Sequence, residues 1–290
     1  MKRALLSAGV LISVAALLAG CSTGGSDSGS GSSQTNSGGK LAEVLDRGVL
    51  IVGTGSTNAP WHFKDDAGNL VGFDVDVSKM IAKALFDDET KVEFVEQTSD
   101  SRIPNLQANK VDITCQFMTV TGARAQQVNF SIPYYREGVG LLLREDGSYA
   151  DFNALKAAGS DVTVSILQNT YAEELVHQAL PEAKVDQYDD VALIYEALNS
   201  GRADAAATDQ SSVNWYVTQN PGYKDSGYGW SPQSYSCAVA QGDQDWLNFV
   251  NTALHEAMTG VEFGAYQSSF KQWFGVDLPS PQIGFPVEFK

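Results

Sequence analysis

The chain has 290 residues and a formal net charge of −16 at pH 7. So acidic a protein is poorly suited to bind nucleic acid, because neutralising phosphates requires lysine and arginine. The part of the chain from residue 40 onward is about 250 residues long, more than one compact hydrophobic core usually holds. Taken in chain order, the sequence divides into an export signal, a polar linker and a folded body.

The first 21 residues have the pattern of an export signal. Lys2 and Arg3 precede an apolar run over 4–18, which is too short to cross a bilayer comfortably. The run ends in Leu18-Ala19-Gly20-Cys21, and small residues before a cysteine are typical of the site where bacterial lipoproteins are cleaved and acylated. We therefore predict a lipoprotein signal peptide with acylation at Cys21. An ordinary secretory signal followed by a chance cysteine is the alternative.

Residues 22–40 consist almost entirely of serine, glycine and other small polar residues. Such a segment has little apolar surface to bury, so we predict a flexible tether that spans roughly 20–25 Å. A lipid, a tether and then a globular body is the layout of a protein that works at the outer face of a membrane. We expect an exported protein, lipid-anchored at the cell surface or in the periplasm.

The body alternates short apolar strands with helices. In the first half, strands are predicted at 49–53, 91–95 and 111–115, with one helix after Gly72-Phe73-Asp74 and another at 102–109. The order restarts with strands at 161–166, 185–188 and 203–208. A helix is predicted after Thr170, which has capping-box spacing to Glu173, and another at 190–199. This alternation predicts α/β architecture with mainly parallel sheets.

The repeated order suggests two similar lobes joined by a hinge, although the ordinary alternation of strands and helices in α/β proteins could produce the same repeat. A cleft between two lobes is a natural site for a small molecule, and closure of such lobes around a ligand is a familiar motion.

Signals for catalysis, metals or cofactors are weak. His62, His177 and His255 lack metal-ligand spacing, and Gly53-Thr54-Gly55 lacks the third glycine of a dinucleotide-binding turn. We therefore predict no metal, no cofactor and no catalytic residue, and expect that the protein is not an enzyme.

Three residues suit recognition of a zwitterion, which carries a carboxylate and an ammonium. Arg124 follows a predicted strand, Thr170 opens a predicted helix, and Asp209 follows the strand at 203–208. Such positions at the carboxyl ends of strands and at helix starts are where α/β proteins bind ligands. Spacing alone leaves alternatives open, since Arg124 could be a surface residue and Asp209 a plain helix cap.

Several segments together resemble a known family. They are Gly72-Phe73-Asp74-Val75-Asp76-Val77, Arg102-Ile103-Pro104, Met118-Thr119-Val120-Thr121 with Arg124, Phe130-Ser131-Ile132-Pro133-Tyr134-Tyr135 and Lys271-Gln272-Trp273-Phe274-Gly275. In this order, and over essentially the whole body, they are similar to the bacterial extracellular solute-binding proteins of family 3, the polar-amino-acid receptors of ABC importers.

The resemblance implies a two-lobed periplasmic-binding-protein-like fold of type II, with two mainly parallel sheets joined by two hinge strands. Lobe 1 is expected at 41–133 plus 236–275 and lobe 2 at 139–230, followed by a C-terminal extension at 276–290. It also implies that Arg124, Thr119 and Thr170 bind the ligand carboxylate and that Asp209 accepts the ligand ammonium.

The side-chain pocket departs from the family pattern. Asn58, in Asn58-Ala59-Pro60-Trp61, replaces an aromatic residue that often stacks on the ligand, Phe117 replaces a small residue, and Asn169 replaces a glycine. We expect Asn58, Trp61, Phe117 and Asn169 to form a rebuilt pocket, which argues against a lysine or arginine specialist and leaves the ligand open.

The two cysteines of the body, Cys115 and Cys237, could remain buried free thiols, although export permits a disulfide. In the family's topology their strands lie close together in lobe 1, so a bridge is geometrically conceivable.

The expected partners are an amino-acid-like ligand and a membrane permease, and the protein is expected to be a monomer. The alternatives are a cyclohexadienyl-dehydratase-like enzyme or an organic-acid binder on the same fold, and a sensor that reports ligand to a signalling partner. The tether favours transport, and Asp209 favours a ligand that carries an amine.

Overall fold

The structure, a computed structural model, describes residues 38–168 and 171–284. The helices in these ranges are α1 (Lys40–Arg47), α2 (Phe73–Phe86), α3 (Arg102–Gln107), α4 (Gly122–Ala125), α5 (Phe152–Ala158), α6 (Ala172–Ala179), α7 (Val191–Asn199), α8 (Gln210–Gln219), α9 (Gln244–Thr259) and α10 (Phe263–Phe274). The strands are β1 (Leu50–Thr54), β2 (Thr57–Asn58), β3 (His62–Lys64), β4 (Leu70–Val71), β5 (Val92–Glu96), β6 (Ile113–Thr114), β7 (Asn129–Phe130), β8 (Tyr135–Arg144), β9 (Thr163–Leu167), β10 (Lys184–Tyr188), β11 (Ala205–Asp209), β12 (Tyr223–Asp225), β13 (Trp230–Tyr235) and β14 (Ala238–Val239).

The predicted strands and helices of both halves are present, with most ends shifted by one or two residues. Helix α7 begins where expected because Asp190 caps it, accepting a hydrogen bond from the backbone N–H of Ala192 at 2.7 Å. Helix α6 begins at Ala172 with Tyr171 in the N-cap position, one residue after the predicted cap Thr170. Thr170 itself lies outside the described residues.

The first lobe is built on a five-stranded sheet in the order β5-β1-β6-β14-β7. Strand β1 pairs in parallel with β5 and β6, whereas β14 runs antiparallel to β6 and β7. Helices α2, α9 and α10 pack against one another beside this sheet. Its core includes Val52, Ile81, Ile113 and Val250, all fully buried.

The second lobe is built on a six-stranded sheet in the order β10-β9-β11-β8-β12, with β13 also paired to β8. Strand β9 is parallel to β10 and β11, and β8 is antiparallel to β11, β12 and β13. Buried Leu141, Val164 and Ala205 belong to its separate apolar cluster.

Two strands carry the chain between the sheets. Strand β8 begins at Tyr135 shortly after β7, β13 ends at Tyr235 shortly before β14, and these two residues pair directly. This confirms the predicted α/β class with two sheets joined by two crossing strands. The sheets contain more antiparallel pairs than expected, because β8 and β14, which follow the crossings between the lobes, run antiparallel to their neighbours β11 and β6. The lobe limits given above remain a proposal.

A disulfide joins Cys115 to Cys237, which are 122 residues apart in sequence. It connects the end of β6 to the start of β14 in the first lobe, and both residues are fully buried. The pairing that the sequence left open is therefore formed.

Candidate functional site

A cavity of about 70 Å³ lies between the lobes and gathers charged side chains of both signs. Its walls include Arg102, Thr119 and Arg124 from the first lobe and Tyr171, Leu175 and Asp209 from the second. A larger cavity of about 730 Å³ lies beside β8 and α10, and none of the predicted site residues that the structure describes line it. The smaller cavity is the candidate site, because three charged groups with shifted pKa values, Arg102, Arg124 and Asp209, converge on it from both lobes.

Arg124 is held at the cavity by the short helix α4. Its backbone N–H donates to Thr121 Oγ1 at 3.2 Å, which caps the helix, and its Nη1 donates to the Thr119 carbonyl at 2.9 Å. Burial lowers the pKa of Arg124. Among the described residues no carboxylate forms an ion pair with it, so most of its guanidinium donors remain available to a ligand.

Thr119 lies in the cavity wall, and its hydroxyl donates to Gln233 Oε1 at 2.9 Å. The Tyr171 hydroxyl, from the second lobe, donates to the same oxygen. Gln233 belongs to the crossing strand β13. Gln233 and Tyr171 were not predicted from the sequence, although together they connect both lobes at the site.

Asp209 ends β11 and brings a carboxylate to the cavity. Its Oδ1 accepts a hydrogen bond from the Tyr235 hydroxyl, whereas its Oδ2 is buried and has no hydrogen-bond partner among the described residues. Burial, with a smaller contribution from the charge of Asp74, raises the pKa of Asp209 to about 7. The site therefore contains a half-satisfied acid that a cation would stabilise.

Asn58 lies on β2 and lines the same cavity. Its Oδ1 accepts a hydrogen bond from the Ser212 hydroxyl across the cleft at 3.2 Å. The amide also interacts with the carboxylate of Asp209, which opposes the rise in that pKa. Asn58 thus connects the lobes as well as lining the pocket.

Phe117 lines the cavity in an uncommon backbone conformation, with a φ of 34°. Its backbone N–H donates to Asp74 Oδ2 at 2.9 Å, and its ring stacks on His62 with centroids 4.7 Å apart. Asp74 is fully buried at the start of α2 and also accepts hydrogen bonds from the Tyr134 hydroxyl and from His62 Nδ1. The Gly72-Phe73-Asp74 motif therefore positions the wall of the site.

Gly72 is needed for this arrangement. Its φ is 129°, and a Cβ at this position would lie 2.3 Å from the carbonyl oxygen of Trp61. Only glycine permits so close an approach and so positive a φ.

Trp61, predicted to lie in the side-chain pocket, does not line this cavity. It is fully buried among aromatic rings that include Phe73 and Tyr235, and its indole N–H donates to Ser211 Oγ at 3.1 Å. The large indole is removed from water and finds a polar partner, which corrects its expected role. The other predicted positions Cys21, Asn169 and Thr170 lie outside the described residues.

Two buried charged residues near the site were not identified from the sequence. Glu137, on β8, accepts hydrogen bonds from the hydroxyl and the backbone N–H of Ser211. Burial, and secondarily the charge of Asp209, raise the pKa of Glu137 to about 8. Arg102, on α3, is only 2% exposed and lines the cavity. Arg102 belongs to the Arg102-Ile103-Pro104 segment of the family resemblance and Glu137 lies between Arg136 and Gly138, but neither pattern indicates that the charge is buried.

Over residues 38–168 and 171–284, no helix is both long and apolar enough to cross a bilayer. In the same part of the chain, no cluster of three or more histidine, cysteine or acidic residues is arranged to hold a metal ion.

Comparison with known sequences identifies relatives over most of the chain. The family model for "Bacterial extracellular solute-binding proteins, family 3" matches residues 50–276. The "ABC transporter glutamine-binding protein GlnH" of Bacillus subtilis (strain 168) is 28% identical over 278 residues, covering 96% of this chain and 99% of that protein. The "Glutamine-binding protein" of Geobacillus stearothermophilus is 31% identical over 80% of this chain and 89% of its own length. The "L-cystine-binding protein TcyJ" of Escherichia coli (strain K12) is 28% identical over 83% of this chain and 88% of its own length.

Solved structures agree. The ancestral amino acid-binding protein AncCDT-1, described as a precursor of cyclohexadienyl dehydratase, gives a TM-score of 0.71 at 33% identity, covering 81% of this chain and 98% of that one. An ancestral arginine-binding protein bound to glutamine gives 0.70 at 37% identity, with coverages of 79% and 99%. A solute receptor for L-cysteine of Neisseria gonorrhoeae gives a TM-score of 0.72 at 27% identity, covering 80% of this chain and 92% of that one. These similarities confirm the type II two-lobed fold.

Proposed function

The chain belongs to the bacterial extracellular solute-binding proteins of family 3, and from this premise we propose that it captures an α-amino acid between its lobes and delivers it to the permease of an ABC importer. The observation that carries the proposal is the buried Oδ2 of Asp209, which has no hydrogen-bond partner among the described residues and lies in the same cavity as Arg124. A buried acceptor left unsatisfied costs about 1–3 kcal/mol, and more when it is charged. The ammonium of an amino acid would remove that cost.

The carboxylate of the ligand would bind to Arg124. A guanidinium offers two parallel N–H groups that match the two oxygens of a carboxylate, and such bidentate pairs are strong when water is excluded. Thr119 lies beside it, and we propose that Thr170, at the start of the second-lobe helix, contributes a further donor. Asn58, Phe117 and Asn169 would then face the ligand side chain.

Capture would proceed by closure of the lobes, with no bond made or broken, so the proposed role is not enzymatic. Hydrogen bonds already connect the lobes directly, from Trp61 Nε1 to Ser211 Oγ and from Ser212 Oγ to Asn58 Oδ1. A dehydratase-like enzyme or an organic-acid binder is the second candidate, favoured by the similarity to AncCDT-1, a precursor of a dehydratase. The carboxylate of Asp209 argues against it, because a ligand without an amine would leave that group unpaired.

We propose further that the mature protein is a monomer anchored through an acylated Cys21 at the outer face of a bacterial membrane. The proposal rests on the sequence pattern of residues 1–40. Intact-mass analysis of protein extracted from membranes would show the lipid, and an unmodified Cys21 would contradict this part of the proposal.

The function is tested by a thermal-shift screen of the folded body against α-amino acids, each paired with the carboxylic acid that lacks its amine. At 100 times its dissociation constant a ligand adds about 2.7 kcal/mol to the free energy of unfolding. We expect at least one amino acid to raise the melting temperature while its deaminated partner does not. Equal stabilisation by both members of the pair would favour the organic-acid binder, and no response to any amino acid would contradict the proposal.

A further inference from the structure

Arg102 is a second guanidinium in the wall of the binding cavity. Its Nε donates to the Ser99 carbonyl at 2.8 Å, and its Nη1 donates to the Gln116 carbonyl at 3.1 Å. The ring of Phe117 covers one side, with its centroid 5.3 Å from the guanidinium carbon. The group is thus fixed in place at the edge of the cavity while being almost wholly removed from solvent.

The charge of Arg102 has no counter-ion in direct contact within the described part of the chain. Burial, and next the positive charge of Arg124, lower the pKa of Arg102 to about 9, which leaves it cationic at neutral pH. Placing an unpaired cation in a protein interior is costly unless another charge compensates it. Two neighbouring guanidinium groups raise that cost, because they repel each other.

A purely structural role does not account for the charge. The two carbonyl bonds use two of the five N–H donors of the guanidinium, and no described group accepts a hydrogen bond from Nη2. A neutral side-chain amide could donate to the same carbonyls without carrying a buried charge. The remaining donors and the charge itself are therefore available to something that enters the cavity.

We propose that Arg102 binds an anionic group on the ligand side chain, so that the ligand is a dicarboxylic α-amino acid. This rests on the proposed function and names its substrate class. Of the three charged groups of such a ligand, the α-carboxylate pairs with Arg124, the ammonium with Asp209 and the side-chain carboxylate with Arg102. The two carboxylates also offset the repulsion between the two guanidinium groups.

The test is calorimetric titration of wild-type protein with L-glutamate, L-aspartate and their amides, L-glutamine and L-asparagine. Each acid and its amide have nearly the same shape, so the ratio of their affinities isolates the side-chain charge. We expect at least one acid to bind about tenfold or more tightly than its amide, which corresponds to about 1.4 kcal/mol.

Variants at Arg102 test whether this residue causes the preference for the acid over its amide. In Arg102→Gln the affinity for the acid should fall by about 30-fold or more, whereas the amide should change only a few-fold, so the ratio collapses. Arg102→Lys retains the charge without the planar fork and should keep part of the preference. The matched control is Arg202→Gln, which removes the same charge from an exposed turn and should keep the wild-type ratio.

The outcomes separate this inference from the proposed function. Tighter binding of both amides than of their acids, or an unchanged ratio in Arg102→Gln, would overturn the acidic ligand class while leaving an amino-acid receptor in place. Failure of every amino acid in the thermal screen would overturn both. If Arg102→Gln does not melt cooperatively, the wild-type ratio and the Arg102→Lys variant decide the question.

Discussion

At the scale of single residues, Arg124 differs from an ordinary surface arginine because it is half-buried and lines the cavity between the lobes. Its pKa is lowered by burial, which shows that the surroundings do not solvate the charge well. An ion pair formed there is stronger than one at the surface, where the median contribution is about 0–1 kcal/mol. Among the described residues, its guanidinium donates a hydrogen bond only to the Thr119 carbonyl.

We therefore predict that Arg124→Ala weakens ligand binding by about 30-fold to several thousand-fold, corresponding to roughly 2–5 kcal/mol. The melting temperature of the ligand-free protein should change little, because few intramolecular bonds are lost. Arg124→Lys should recover part of the affinity, since lysine keeps the charge but not the fork. Titration calorimetry and thermal unfolding measure both effects, and wild-type affinity in Arg124→Ala would remove the proposed carboxylate site.

The sequence predicts Arg124 and Asp209 as ligand residues chiefly through the family resemblance, since spacing alone leaves Arg124 open as a surface residue and Asp209 as a helix cap. In the structure both line the cavity, Arg124 from α4 and Asp209 from the end of β11. The sequence does not predict Arg102 or Glu137 as site residues. Both side chains become buried only when segments distant in sequence come together, so neither local spacing nor residue type predicts their burial. Trp61 was misassigned for the same reason, since its partner Ser211 is 150 residues away.

At the scale of secondary structure, order along the chain was predictable but pairing was not. The alternation of apolar strands and helices fixes the α/β class, because each pattern depends on neighbouring residues. Strand β6 pairs antiparallel with β14, where the chain re-enters the first lobe, and β11 pairs antiparallel with β8, where the chain enters the second lobe. The periodicity of one segment does not indicate which distant strand will pair with it.

The disulfide between Cys115 and Cys237 fixes one of these non-local pairings. Phe117 and Tyr235 each lie two residues from a bridged cysteine, and both line the cavity. The bridge therefore holds two walls of the site together, besides limiting the freedom of the unfolded chain.

We predict that the double variant Cys115→Ala with Cys237→Ala loses about 2–5 kcal/mol of unfolding free energy, the usual cost of removing a native disulfide. Ligand affinity should also fall, because the two walls then lose their covalent connection. Chemical denaturation and calorimetric titration measure these effects. Thiol counting on the denatured, unreduced body should find no free thiol, and two free thiols would contradict the bridge.

At the scale of the whole molecule, two buried acids lie where a crossing strand joins the second sheet. Glu137 lies on β8 and Asp209 at the end of β11, and β8 and β11 are adjacent in the second sheet. The charge of Asp209 makes Glu137 harder to ionise. A ligand ammonium at Asp209 would favour its ionised form, so amino-acid affinity should rise with pH through about 7.

The same two acids make the stability of the ligand-free protein depend on pH. Burial raises the pKa of Glu137 to about 8 and that of Asp209 to about 7, whereas carboxyl groups of an unfolded chain titrate near 4. Between about pH 4 and 8 the native state therefore binds more protons than the unfolded state, and its stability falls as pH rises. Glu137→Gln removes the acid with the higher pKa, while its amide oxygen can still accept a hydrogen bond from Ser211.

We expect thermal unfolding between pH 5 and 8 to show a smaller loss of melting temperature in Glu137→Gln than in wild-type protein. The control Glu93→Gln changes an exposed carboxylate on β5 and should keep the wild-type slope. A saturating ligand with an ammonium should also reduce the slope in wild-type protein, because it stabilises ionised Asp209. Parallel curves for wild-type protein and Glu137→Gln would show that the buried acids do not govern the pH dependence of stability.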